Sequence, residues 1–126
     1  MSQRWDRDAQ ASGPVVSGFR GRGFVVDGGV YEGLLLTPQS AEQWDAPPPL
    51  DGLGLEHLAA LLALRPEPEF ILIGTGASTR FAPRALVRAL EQRGIGIEAM
   101  DSRAAARTWG LLRAEERWIA AALMPL

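Results

Sequence analysis

Phe70-Ile71-Leu72-Ile73-Gly74-Thr75-Gly76 runs from four apolar residues straight into a glycine-rich turn. An unbroken apolar run of this length reads as a strand buried on both faces, the habit of parallel sheets covered by helices. The flanks agree. Downstream, Pro83 suits the first turn of a helix, Leu86, Val87 and Leu90 give it an apolar face, and Gly94 ends it. Ile95, Ile97 and Met100 then nearly alternate, as a strand does, up to Asp101. Ser102 is a good N-cap for a third helix, with Ala104, Ala105, Thr108, Leu111 and Leu112 along its inner side. Trp118 to Met124 closes the chain as a last strand before Pro125. Upstream, Leu58, Leu61, Leu62 and Leu64 form a helical stripe that starts near Asp51 or Gly54 and stops at Arg65-Pro66.

The amino-terminal third has a different texture. Val15–Phe19, Phe24–Val26 and Val30–Leu36 are short β-rich stretches cut by glycines, and Asp27-Gly28-Gly29 marks a hairpin. Thr37-Pro38 ends that meander. Gln39 to Gly54 reads as a connection holding Trp44 and the spacer Pro47-Pro48-Pro49. Residues 1–14 are polar and aperiodic and read as a flexible leader in which Trp5 is the docking candidate. Strands separated by single helices usually run parallel in one sheet. The expected fold is therefore a single three-layer α/β domain over residues 1–126. It carries a mixed β-sheet, an N-terminal antiparallel hairpin and a C-terminal βαβαβ-like half.

Composition narrows function by exclusion. The 126 residues suit one domain, for which about 100–150 residues is typical. There is no cysteine and one histidine, His57, so thiolate chemistry, disulfides and His-rich metal sites are excluded. All 13 basic residues are Arg, which removes Schiff-base lysines and the Walker loop. A net charge of -2 gives no global attraction to nucleic acid. Charge is nevertheless uneven: Glu42 to Glu69 is acidic, and Arg80 to Arg117 is rich in Arg. The apolar runs are far shorter than the ~18–20 residues a membrane span needs, and the N-terminus lacks a signal-type apolar core. A cytoplasmic protein is expected, meeting a membrane only through a partner.

The richest local feature is the loop Gly74-Thr75-Gly76-Ala77-Ser78-Thr79-Arg80. It leaves a buried strand toward a helix, at the carboxyl edge where α/β folds place ligands. Its glycines permit close approach, and Thr75, Ser78, Thr79 and Arg80 offer polar groups. A dinucleotide fingerprint would need glycine at position 79, where Thr stands. Ser78 lacks the second glycine of a nucleophile elbow, and Glu115-Glu116 point to different helix faces. No catalytic set, metal site or cofactor is expected. Asp101 should end its strand beside the loop. It either joins Thr75, Ser102 and Arg107 in a polar cluster or caps the third helix, with Arg107 paired to it or to Glu115. Trp109 is a candidate aromatic anchor, Trp44 the tryptophan expected at the surface and Trp118 a core residue. The last strand offers self-association if it lies at a sheet edge.

One ordered set of residues carries a family resemblance. It comprises Phe70-Ile71-Leu72-Ile73-Gly74-Thr75-Gly76, Pro83, Leu90 to Gly94-Ile95-Gly96-Ile97-Glu98, Met100-Asp101-Ser102, Ala104 to Arg107-Thr108-Trp109, Leu112, Glu115, Arg117 and Ala120-Ala121-Ala122-Leu123-Met124-Pro125. The chain resembles a small family of mostly uncharacterised α/β proteins over about residues 15–126. That family includes the mitochondrial complex I assembly factor 3 and the adipogenesis-associated relative. The resemblance implies one α/β domain, no established enzyme activity and a protein partner. Family members often carry Cys followed by Arg-Thr-Tyr-Asn in the third helix; here the positions read Ala106, Arg107-Thr108-Trp109-Gly110. The site residues carried forward are Gly74, Thr75, Gly76, Arg80, Asp101, Arg107, Thr108 and Trp109. The first expectation is a non-enzymatic binding or assembly-type protein linked to respiratory or membrane complexes. The alternative is a small-molecule or anion-binding domain, with or without catalysis, built on Gly74–Arg80.

Overall fold

The computed structural model describes residues 13–126; Trp5 and most of the leader lie outside the described residues. A five-stranded mixed sheet forms the middle layer, in the order β5-β4-β8-β6-β7. Its strands are β4 (Leu34–Thr37), β5 (Ser40–Gln43), β6 (Phe70–Gly74), β7 (Gly96–Met100) and β8 (Ala120–Leu123). β6 is parallel to both β7 and β8, whereas β4 runs antiparallel to β8 and β5. A separate antiparallel sheet comprises β1 (Gly18–Arg20), β2 (Gly23–Val26) and β3 (Gly29–Tyr31). Among the described residues the helices are α1 (Ala59–Leu62), α2 (Arg84–Gln92) and α3 (Ser102–Ala114), with two 3-10 turns before α1.

The period of two along each strand sorts side chains into two cores. Leu35, Ile71, Ile73, Ala120 and Ala122 face one way, against Leu58 and Leu61 before and within α1 and Leu86 and Leu90 of α2. Leu34, Leu36, Leu72, Ala121 and Leu123 face the other, against α3 and Phe24 and Val26 of the small sheet. The α/β fold with a mixed sheet and three layers is therefore as expected. The buried strand Ile71–Ile73, the leucine stripe before Pro66, and Gly94 with φ of 76° after α2 all stand where the sequence put them. The hairpin at Asp27-Gly28 is also present, with φ of 50° and 83°.

Several local expectations need correction. Val30–Leu36 is two strands in two sheets, not one. The chain changes sheets at Gly33, where an added Cβ would lie 2.5 Å from the Trp44 carbonyl oxygen. The supposed connection after Thr37 contains β5, paired with β4 through a two-residue turn at Pro38-Gln39. Trp44 is buried rather than surface-available, at 6% exposure, because it packs in the α1–α2 core. Trp118 is only half-buried, its indole N–H donating to the Pro66 carbonyl. Asp101, not Ser102, caps α3 by accepting the Ala104 N–H at 2.9 Å. The inner side of α3 is Ser102, Ala105, Ala106, Trp109 and Arg113, while Leu111 is 69% exposed. Trp109 and the pinned Ser102 choose that side. β8 sits between β4 and β6, so it offers no edge for self-association.

Candidate functional site

Parallel pairing sets the geometry. Gly74 lies opposite Met100 on one side and Leu123 on the other, so β6, β7 and β8 end at one rim. The loop after Gly74 remains tied to that rim. The Thr75 N–H donates to the Met100 carbonyl at 2.8 Å, the Ser102 N–H to the Gly76 carbonyl at 2.8 Å, and the Met124 N–H to the Gly74 carbonyl at 3.0 Å.

Side chains tighten this knot. Thr75 is buried; its hydroxyl donates to the Ser78 carbonyl at 2.7 Å and accepts the Arg80 N–H at 3.2 Å. Ser102 is fully buried; its hydroxyl donates to the Met124 carbonyl at 2.7 Å and accepts the Gly76 N–H at 2.8 Å. The Asp101 N–H donates to the Thr79 hydroxyl at 3.1 Å. Buried polar groups must find such partners, and here each finds one inside the fold. Gly74 is required by space: a Cβ there would stand 2.7 Å from Ser102 Oγ and 2.9 Å from Leu123 Cδ2. Gly76 is required by its φ of 95°.

The sequence-derived residues thus divide. Gly74, Thr75, Gly76 and Asp101 are brought together with Ser102, as the strand alternation suggested. Arg107 is exposed on α3, which covers the opposite face of the sheet from α2, and it joins neither the loop nor Asp101. Thr108 faces the end of β7, its hydroxyl 3.5 Å from the Met100 sulfur. Trp109 is 0% exposed and donates its indole N–H to the Pro14 carbonyl at 2.8 Å. A side chain enclosed in this way is no surface anchor. His57 Nδ1 accepts the Gly54 N–H at 3.0 Å, a local structural bond.

One concavity borders the knot and another lies along α2. An open groove of about 500 Å³ is lined by Thr75, Gly76 and Arg80 on one side and by Arg22, Pro47–Pro49 and Pro125 on others. A second, also about 500 Å³, lies along α2 between Phe81, Arg84, Val87 and Arg88. Sequence reasoning missed Arg22, the proline wall and Phe81. The first two are remote in sequence and only folding brings them to the loop. Phe81 did leave a signal, an aromatic between Arg80 and Pro83 that fits neither the strand nor the helical stripe.

At the other end of β6 the charges are paired. Glu67 meets Arg93 at 2.7 Å and Glu69 meets Arg117 at 2.8 Å. These guanidinium contacts hold both carboxyls below the ordinary Glu range and push Arg117 up.

Residues 16–124 match the family described as "Protein of unknown function (DUF498/DUF598)". The chain belongs to this family. Within such a set, similarity reaches a zebrafish (Danio rerio) protein named "NADH dehydrogenase [ubiquinone] 1 alpha subcomplex assembly factor 3", 32% identical over 116 residues. The match covers 91% of this chain and 66% of the zebrafish protein, so the chain spans just under two thirds of that relative's length. An uncharacterised protein of Rhodobacter capsulatus is 35% identical over 104 residues, 82% of this chain and 77% of its own. A crystal structure of a Bordetella parapertussis protein shares the fold with a TM-score of 0.80 at 30% identity, covering 91% of this chain and 98% of that one. The resemblance drawn from Phe70 to Pro125 therefore holds at family level, and it connects the chain to relatives named for assembly. Among the described residues no helix is long and apolar enough to cross a membrane.

Proposed function

We propose that the chain is a non-enzymatic binding protein of the assembly type, which holds a protein partner while a respiratory or membrane complex is built. On this reading it works in the cytoplasm and reaches a membrane through that partner. The observation that carries it is the division of labour at the rim. The hydroxyls of Thr75, Thr79 and Ser102 are engaged by the fold itself, whereas Arg80 beside them is exposed. A reaction pocket needs free, convergent groups; a docking surface needs exposed ones on a rigid base. The names of the assembly-factor relatives support the same reading. In the proposed site Gly74, Thr75, Gly76 and Asp101 form that base and Arg80 makes contact. Arg107 and Thr108 belong to a separate patch on α3.

Deletion of the gene tests this. Native gels of membrane complexes should show a respiratory complex reduced or arrested at a subcomplex, restored by the wild-type chain. Unchanged complexes under respiratory growth would overturn the reading.

The groove bounded by Arg22 and Arg80 favours a second reading, an anion-binding domain, because two guanidinium groups line one concavity beside Gly76. A thermal shift with phosphate or dicarboxylates, lost in Arg80→Ala, would support it; a flat response would reject it.

A further inference from the structure

Phe81 is 98% exposed, although phenylalanine is normally among the more buried residue types. It is not a stray apolar residue. With Ala82 and Val87 it lines a concavity of about 500 Å³ along α2, whose charged walls are Arg84, Arg88 and Glu91. Arg80 stands one residue before it, also exposed. Arg84 and Arg88 are four apart, so both present to the same side of the helix. Among the described residues the ion pairs lie elsewhere, Glu67 with Arg65 and Arg93, and Glu69 with Arg117. The first turn of α2 holds no acidic residue, and Pro83 supplies no side-chain cap. Arg84 thus sits at the positive end of a helix dipole, where a carboxylate is preferred. Two guanidinium groups and one carboxylate line an open hollow beside an exposed aromatic, and the Arg80 guanidinium stands one residue before that aromatic; this positive excess next to an apolar surface is the complement of an acidic ligand with an apolar side chain.

We infer that Arg80–Glu91 docks an acidic segment of a partner protein, with one aliphatic or aromatic side chain seated beside Phe81 and carboxylates paired to Arg80, Arg84 and Arg88. This rests on the protein-binding reading above and names the chemistry of the partner. Arginine suits the role because its planar fork takes carboxylates bidentately. The hollow favours a protein segment over a lipid surface, because a flat bilayer has no side chain to fill it. An acidic stretch of a second copy, such as Glu42 to Asp51, is the competing occupant.

The test uses the full chain, immobilised, and a library of random twelve-residue peptides. Enriched peptides should combine Asp or Glu with a large apolar residue. They should bind more weakly as salt rises. Phe81→Ala should weaken them about thirtyfold, the loss expected when an aromatic anchor is truncated. Arg84→Glu with Arg88→Glu should abolish binding, at an unchanged melting temperature because these side chains are exposed. Enrichment of neutral or basic peptides, equal binding to the variants, or no enrichment would overturn the inference. So would a concentration-dependent dimer of the free chain lost in the same variants, or binding to phosphatidylglycerol vesicles in place of peptides. The gene-deletion assay separates the two claims. If the Arg84→Glu, Arg88→Glu chain restores complex assembly fully, the docking surface is wrong while the assembly role stands. If deletion itself leaves assembly intact, the assembly role fails, whatever the peptides do.

Discussion

Gly74–Gly76 and Arg80–Arg88 are neighbours in sequence, yet they treat their polar groups in opposite ways. The first stretch ties its polar groups into the fold, the Thr75 hydroxyl to Ser78 and Arg80 and the backbone of Gly74, Thr75 and Gly76 to Met124, Met100 and Ser102. The second leaves a phenylalanine and three arginines in solvent. Glycine-rich turns at strand ends invite a search for ligands, but here the glycines serve close packing, since a Cβ at Gly74 would strike Ser102. Glycine content alone does not separate a ligand cradle from a packed corner; the partners of the nearby hydroxyls do.

Substitutions should separate these regions by magnitude. Trp109→Ala removes the largest side chain among the fully buried ones and should cost about 3–5 kcal/mol in denaturant unfolding. A loss below about 1 kcal/mol would return Trp109 to the surface, against its assigned burial. Gly74→Ala forces a methyl into occupied space and should cost about 1–3 kcal/mol. Ser102→Ala leaves the buried Gly76 N–H and the Met124 carbonyl without their partner, again about 1–3 kcal/mol. Phe81→Ser and Arg84→Glu, by contrast, should stay within about 0.5 kcal/mol of wild type, because neither side chain touches the core. Equal losses in both regions would erase the distinction.

The smallest effect is that of pH at the far end of β6. Glu67 and Glu69 have folded pKa values held below the ordinary carboxylate range of about 4.3. Their pairs therefore stabilise the fold fully above that range, and the contribution disappears as pH falls through the lowered folded values. Both pairs are solvent-exposed, so the effect is small. Urea midpoints of wild type and Glu67→Gln, Glu69→Gln should differ at pH 7 and converge as pH falls below the lowered folded values. A difference that grows on acidification would contradict the sign.

Much of the fold could be read because its signals are local. The run Phe70–Ile73, the stripe Leu58–Leu64 and the turn at Asp27-Gly28 each carry their own periodicity or backbone demand. The errors came where tertiary packing overrides a local pattern. Val30–Leu36 has the composition of one long strand, and only the contact between Gly33 and Trp44 breaks it. Alternative faces of α3 differ by one residue in phase, and the bonds of Ser102 to Gly76 and Met124 decide between them. The site was legible in part. Strand alternation brought Asp101 to the loop, but the groove walls, Arg22 and Pro47–Pro49, come from distant segments that no spacing connects. Phe81 could have been found, as an aromatic that neither periodicity claims.

Photocrosslinking inside the cell compares the surfaces most directly. A photoreactive phenylalanine analogue placed at position 81, and in a parallel chain at position 107, would be irradiated during respiratory growth. A discrete protein adduct is expected from position 81, lost when Arg84 and Arg88 are changed to Glu, and none from position 107. An adduct from position 107 with none from position 81 would contradict that expectation and move the working surface to α3.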